Sequence, residues 1–206
     1  MVLVERKENR SVRIGCDLDG VVAKHNLSGF WVKVRLLKEK FLKKTHTKAY
    51  YYPQTKIEQI AWKVINWIRI PDNRGIAHLK DIREKGCRFF LITSRFKFND
   101  PSTQKWLKKY RLFSLFDKVI VNVQDTPPID FKIDAITREK IDFFIDDDLE
   151  VLLALEKTRA KLYWVVPGHR SHLENHRQKI RSCHSFSEVL QEIDQEVSFI
   201  TKSLSS

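Results

Sequence analysis

Asp17-Leu18-Asp19-Gly20 closes an apolar run over residues 12–17. Two carboxylates at i and i+2 on the end of a strand can divide a reaction between them. One attacks an electrophilic centre such as phosphorus, and the other protonates the leaving oxygen and later activates water. A tetrapeptide of this pattern arises by chance in about one chain in twenty of this length. Its weight therefore comes from its place, because strand ends aim side chains into the ligand crevice of an α/β sheet. A second acidic group, Asp146-Asp147-Asp148, follows the apolar Phe143-Phe144-Ile145. Like-charged carboxylates about 4 Å apart repel by about 4 kcal/mol at an effective dielectric near 20. Bringing two such groups together calls for a cation, and hard oxygen ligands suit Mg²⁺. Asp148 is separately explained as the N-cap of a helix over residues 149–157, but an N-cap does not account for all three aspartates.

Two weaker signals join these. Leu91-Ile92-Thr93-Ser94-Arg95 ends a second apolar run with two hydroxyls, and Lys132 stands fourteen positions before Asp146. Arg95 either touches a bound anion or flanks the site. Lys140 is a rival to Lys132, being nearer the aspartates in sequence. A short helix over 132–140 would start with Lys132 near the strand ends and leave Lys140 towards the opposite edge.

The elements that must position these residues are legible as five apolar runs of strand length, at 12–17, 88–93, 118–123, 142–146 and 161–166. They are rich in Ile, Val and Phe, as strands buried on both faces are. Helical patterns between most of them predict βαβ units in a five-stranded parallel sheet with helices on both faces, a Rossmann-like α/β fold. Residues 57–68 place Ile57, Ile60, Ala61, Val64, Ile65 and Ile68 on one stripe, and 30–42 do the same with Phe30, Val34, Leu37 and Phe41. Asp100 before Pro101 reads as an N-cap with proline at the first helical position. Gly86 is the left-handed residue after a helix. Ser185 with Glu188 forms a capping box for a last helix running towards Leu204. More than fifty residues separate the first strand from the helix leading into the second, far more than a crossover needs. The expected organisation is an α/β core over 1–23 and 76–206, with an inserted helical cap over 24–75 that covers the carboxyl ends of the strands.

The order Asp-x-Asp-Gly, hydroxyl, lysine, paired aspartates resembles the haloacid dehalogenase-like hydrolase superfamily across roughly residues 11–168. The run from Lys132 to Asp147 and the insert after the first motif are similar to its 5′-(deoxyribo)nucleotidase-type branch. The resemblance implies a Mg²⁺-dependent phosphohydrolase. Asp17 would be nucleophile and metal ligand, and Asp19 general acid and base with its main-chain carbonyl on the metal. Thr93 and Ser94 would bind the phosphoryl group, and Lys132 would neutralise charge. Asp147, with Asp146 as the alternative or a water-mediated partner, would complete the metal site. The implied substrate is a small phosphomonoester such as a nucleoside monophosphate.

Composition bounds the alternatives. The chain has 206 residues, 42% hydrophobic and 31% charged, with a formal charge of +12. No run of 18 apolar residues occurs, so no membrane span is expected. The first ten residues have no secretory pattern, and Cys16, Cys87 and Cys183 lack metal-ligand spacing; a cytoplasmic location is the expectation. The basic balance attracts anions and keeps a nucleic-acid end phosphatase, or a non-catalytic nucleic-acid-binding scaffold, in view, although no nucleic-acid-binding motif is present. A phospho-receiver domain uses similar residues, but its acceptor lies on a middle strand with no large insert after the first. His169, His172, His176 and His184 stand among lysines and arginines and read as solvated. Tyr50 to Tyr52, Trp31, Trp62 and Trp67 either stack on a base or pack the insert, and packing is the simpler role.

Overall fold

The computed structural model describes residues 11–24, 52–166 and 179–205. Its centre is a parallel sheet. β1 (Arg13–Cys16), β4 (Arg88–Phe96), β5 (Lys118–Asn122), β6 (Phe143–Asp146), β7 (Lys161–Val165) and β8 (Ile180–Cys183) lie in the order β5-β4-β1-β6-β7-β8. Every pairing in this sheet is parallel. The order reverses at β1, which places a crevice beyond the carboxyl ends of β1, β4 and β6.

The sheet has six strands where the sequence predicts five. The extra one, Ile-Arg-Ser-Cys at 180–183, sits on the edge beside β7, with Ile180 in one core and Cys183 in the other. Its two apolar residues bracket Arg181 and Ser182, so it offers none of the continuous apolar run that marks its neighbours.

Alternation along the central strands sends side chains to two separate cores. Phe89 and Leu91 of β4, Ile145 of β6 and Tyr163 of β7 join one cluster. Phe90, Ile92, Phe144 and Leu162 join the other. The first is covered by α2 (Asn73–Glu84), α3 (Asp100–Lys109) and α6 (Phe186–Ser205), through residues such as Leu79, Trp106 and Leu190. The second lies under α4 (Pro128–Arg138) and α5 (Leu149–Leu155), through Ala135, Ile136, Val151 and Leu152.

Local signals set the helix ends. Gly86, at φ +89°, follows α2 and donates its N–H to the Arg83 carbonyl, the left-handed stop expected there. Ser185 accepts the Glu188 N–H at 3.2 Å ahead of α6, while the Glu188 carboxylate accepts from the amide of His184 rather than of Ser185. Asp100 is the first residue of α3 rather than its cap. Asn99 precedes the helix with no side-chain cap, and Asp100 Oδ1 accepts instead from Gln104 Nε2 at 3.1 Å. The proline after Asp100 has no N–H to be capped, and Ser102 and Thr103 hydroxyls bond back to the Asn99 carbonyl.

Between β1 and α2 the chain leaves and re-enters the core through a two-stranded antiparallel ribbon, β2 (Ala23–Lys24) with β3 (Ile70–Pro71). The Asp72 N–H bonds the Val22 carbonyl, and Lys24 pairs with Asp72 at 2.8 Å. Trp106 Nε1 holds the Arg69 carbonyl at 2.9 Å. The ribbon is thus pinned to α3, with Ala23 bridged to Asp19. Of the interposed residues, α1 (Lys56–Trp67) opens with a full capping box between Thr55 and Glu58. The apolar stripe of α1 does not form its buried face: Ile57, Ile60 and Val64 are exposed, and Asn66 is the buried residue. Contact with the core runs instead through Trp62, which stands edge-on to Phe96, and Tyr52, edge-on to Phe96 and Phe98. These rings pack the insert on the core, as does Trp67 beneath Lys109 Nζ. The helix predicted over 30–42, with Trp31, Tyr50 and Tyr51, lies outside the described residues, as do His169, His172 and His176.

Candidate active site

Strand register does most of the assembly. Cys16 lies opposite Ile145, so the next residues, Asp17 and Asp146, leave the sheet side by side. On the other flank Cys16 lies opposite Leu91, which brings Thr93 to the same edge two residues on. Asp17 and Asp146 are buried.

Lys132, in the first half of α4 and also buried, reaches up to both. Its Nζ lies 2.6 Å from Asp146 Oδ2 and 3.1 Å from Asp17 Oδ1. Lys140 is in the turn between α4 and β6, next to Asp142, whose N–H bonds the carbonyl of Arg13. It therefore stands at the entering edge of the sheet, away from the aspartates. Of the two lysines, the fold brings Lys132 to the site.

Backbone amides orient the carboxylates further. The Asp19 N–H donates to Asp17 Oδ2 at 2.9 Å, and the Asp148 N–H to Asp146 Oδ1 at 3.1 Å. Asp148 itself caps α5, accepting from Glu150 N and Val151 N. Asp147 is turned towards the first motif. A Cβ built on Gly20, which has φ +85°, would lie 2.0 Å from Asp147 Oδ2. Gly20 is required twice, for its left-handed backbone and for the room it leaves this carboxylate. The Asp147 carbonyl accepts from Trp164 Nε1 at 3.1 Å.

Asp17, Asp146 and Asp147 each offer an oxygen within 4.8 Å of the others. Three carboxylates against one ammonium leave an excess of negative charge, and the titration reflects it. Burial pushes the Asp17 carboxyl up to about 7, against the pull of Lys132 and with the push of Asp146 and Asp19. Burial also raises Asp147 to about 8, with Asp146 and Asp17 adding to it. Burial works against the charge on Lys132, yet Asp146 and Asp17 hold it well above the usual lysine range. An all-oxygen donor set with surplus negative charge fits a hard divalent cation such as Mg²⁺.

The hydroxyl pair occupies the end of β4. Thr93 is buried, and its Oγ1 accepts only a long bond, 3.4 Å, from the Arg95 N–H. Ser94 Oγ is buried without a hydrogen-bond partner. Beyond Thr93 the pairing with β5 shifts register before Phe96, and within that irregularity Arg95 turns onto Asp19. Arg95 Nε and Nη2 grip the two Asp19 oxygens at 2.8 and 2.7 Å, and Arg95 Nη1 bonds Thr103 Oγ1 at 3.2 Å. Arg69 adds a second guanidinium, with Nε 2.8 Å from Asp19 Oδ1. Sequence reasoning left Arg95 undecided and passed over Arg69 altogether. Nothing in Ile68-Arg69-Ile70 marks it, because it reaches the site only through the β2–β3 ribbon.

No family model matches this sequence, and no curated protein is significantly similar to it. Comparison of folds gives a consistent answer. A predicted phosphatase from Clostridium acetobutylicum superposes with a TM-score of 0.61 at 15% identity, over 90% of this chain and 99% of that one. A haloacid dehalogenase-like family hydrolase from Streptococcus pneumoniae does so at 0.59 and 14%, over 89% and 98%. The D,D-heptose 1,7-bisphosphate phosphatase of B. bronchiseptica, solved with magnesium and phosphate, gives 0.56 and 15%, over 90% and 99%. The chain has the fold of the haloacid dehalogenase-like hydrolases.

Proposed function

We propose that this protein is a Mg²⁺-dependent phosphohydrolase that works through an aspartyl-phosphate. The observation that carries the reading is the Lys132 ammonium bridging Asp17 and Asp146, with Asp147 within ligand distance of both, at the carboxyl edge of a parallel sheet. Phosphatases among the proteins of similar fold support it. Asp17 is the nucleophile, and the hydrogen bond donated by the Asp19 N–H aims one oxygen while Lys132 sits on the other. Asp17, Asp146 and Asp147, with the main-chain carbonyl of Asp19, would hold the metal. Bound Mg²⁺ would cancel charge on the carboxylates and the phosphoryl oxygens, which otherwise repel each other. The Thr93 hydroxyl and the Ser94 backbone amide take phosphoryl oxygens, and Lys132 neutralises the charge that builds as Asp17 attacks. Asp19 delivers a proton to the leaving oxygen and then draws one from the water that opens the phosphoaspartate.

The segment between β2 and β3 acts as the cap over this edge, and the substrate is a small phosphomonoester, with a nucleoside monophosphate the first choice. No helix among the described residues is long and apolar enough to cross a membrane, consistent with a substrate met in water.

Phosphate release from an aryl phosphate and from nucleoside monophosphates, with and without Mg²⁺, tests the proposal. Release should require Mg²⁺ and fall by at least about 10³-fold in Asp17→Asn, whose folding is checked by circular dichroism. Activity retained in Asp17→Asn would overturn the nucleophile assignment.

A further inference from the structure

Asp19 is held in a way that its proposed task does not permit. Both its oxygens are gripped by the Arg95 fork, and Arg69 crowds one of them as well. The guanidiniums lie deeper than the carboxylate: the side chains of Arg95 and Arg69 are 3% and 10% exposed, that of Asp19 25%. To serve a leaving oxygen, Asp19 must free at least one of its own oxygens. That movement strips two buried cations of their counter-charge, and an unpaired buried charge is among the costliest arrangements a fold can adopt. Arg69 is already short of acceptors. Among the described residues its Nε, though 2.8 Å from Asp19 Oδ1, has no aligned hydrogen bond, and its Nη1 makes a 3.4 Å contact with the Ala23 carbonyl.

The compensating anion has to arrive when Asp19 moves, which is when the substrate binds. It is not the scissile phosphoryl group, which the reading above assigns to Lys132, beside Asp17, and to Thr93 and Ser94. Resting on the phosphatase reading above, we propose that Arg69 and Arg95 form a binding site for a second phosphoryl group, carried on the leaving-group side of the substrate. Planar guanidinium forks match phosphate oxygens in pairs, and Asp19 occupies the fork in the absence of substrate. The substrate class is then a phosphomonoester with a further phosphate or phosphodiester close to the scissile one. A small bisphosphate and the terminal phosphate of an oligonucleotide share this chemistry.

The test is a ratio. With wild-type protein first shown to hydrolyse an aryl phosphate, kcat/KM is measured for adenosine 5′-monophosphate, adenosine 3′,5′-bisphosphate and a short oligonucleotide ending in a phosphate. One of the two substrates with a second phosphate should exceed the monophosphate by about 10–100-fold, the range of one or two charge-assisted hydrogen bonds. The one that does so identifies the source. Arg95→Lys and Arg69→Gln should each bring that ratio close to one, whatever they do to the aryl phosphate. Equal kcat/KM for substrates with one phosphate and with two overturns the proposal, as does a preference that survives both substitutions. If no phosphate ester is hydrolysed, the catalytic reading fails by itself, and the anion site is judged by calorimetry on wild-type and Asp17→Asn protein with Mg²⁺. Tighter binding of the bisphosphate than of the monophosphate, lost in Arg95→Lys, supports the site; equal binding removes it.

Discussion

Two aspartates at opposite ends of the sheet have opposite circumstances. Asp117, just before β5 at the entering edge, accepts the Phe89 N–H at 2.9 Å, Arg88 Nε at 3.2 Å and Arg83 Nη1 at 3.0 Å. Burial works against its charge, but these donors hold its carboxyl below the usual range. Asp17, at the exit edge, shares one lysine with Asp146 and is pushed up to about 7, chiefly by burial. The first carboxylate is satisfied by the chain and ties β4 to β5. The second is left with charge that the described residues do not cancel. A fold keeps such an imbalance where a ligand is to supply the remainder.

Removing the lysine should break the contrast most severely. Lys132→Ala leaves Asp17 and Asp146 buried together without their counter-ion. Turnover should fall by about 10²–10⁴-fold and stability by about 3–5 kcal/mol, read by kinetics and urea unfolding. Unchanged stability would mean the pair is not buried as described.

The metal-free protein supplies the next test. Asp17 and Asp147 hold protons in the folded state up to about pH 7 and 8, whereas the unfolded chain releases them near pH 4. With more protons bound when folded, stability falls as pH rises between about 4 and 8. Mg²⁺ needs the ionised carboxylates and should displace those protons. Thermal scans should therefore show a larger Mg²⁺-induced rise in Tm at pH 8 than at pH 5, and EDTA should abolish the difference. A shift of equal size at both pH values would count against metal binding by these residues.

Gly20→Ala sharpens the comparison from the side of geometry. The added methyl would press on Asp147 at a φ that disfavours side chains. The expected cost is about 1–3 kcal/mol of stability, with a weakened response to Mg²⁺ in the same thermal scans. The smallest effect belongs to Asp117→Asn, about 1 kcal/mol, with kcat unchanged. Lost activity there would show that the two ends of the sheet are coupled.

Much of the site was legible because strand ends are legible. Asp17, Thr93 and Asp146 each terminate a run of apolar residues, and in a parallel sheet all such ends face one edge. Lys132 was legible only as one choice of two, decided by which end of α4 faces the aspartates. β8 was not legible, since its two apolar residues are separated by Arg181 and Ser182 and are too few to stand out. The exposed stripe on α1 was misleading for a related reason. Periodicity identifies a helix, but which face is covered depends on what packs against it, here Phe96 and Phe98 meeting Trp62 and Tyr52.

By itself, then, the sequence determined the α/β class, the parallel order implied by alternating strands and helices, and the acidic, hydroxyl and lysine groups of the site. These are local matters of residue type and period. Only the tertiary structure decided that Asp17 and Asp146 share a lysine, that Gly20 makes room for Asp147, and that Arg69 and Arg95 converge on Asp19. Those contacts join residues 14 to 127 positions apart, and no local pattern encodes them: register, ribbon and crossover bring them together at once.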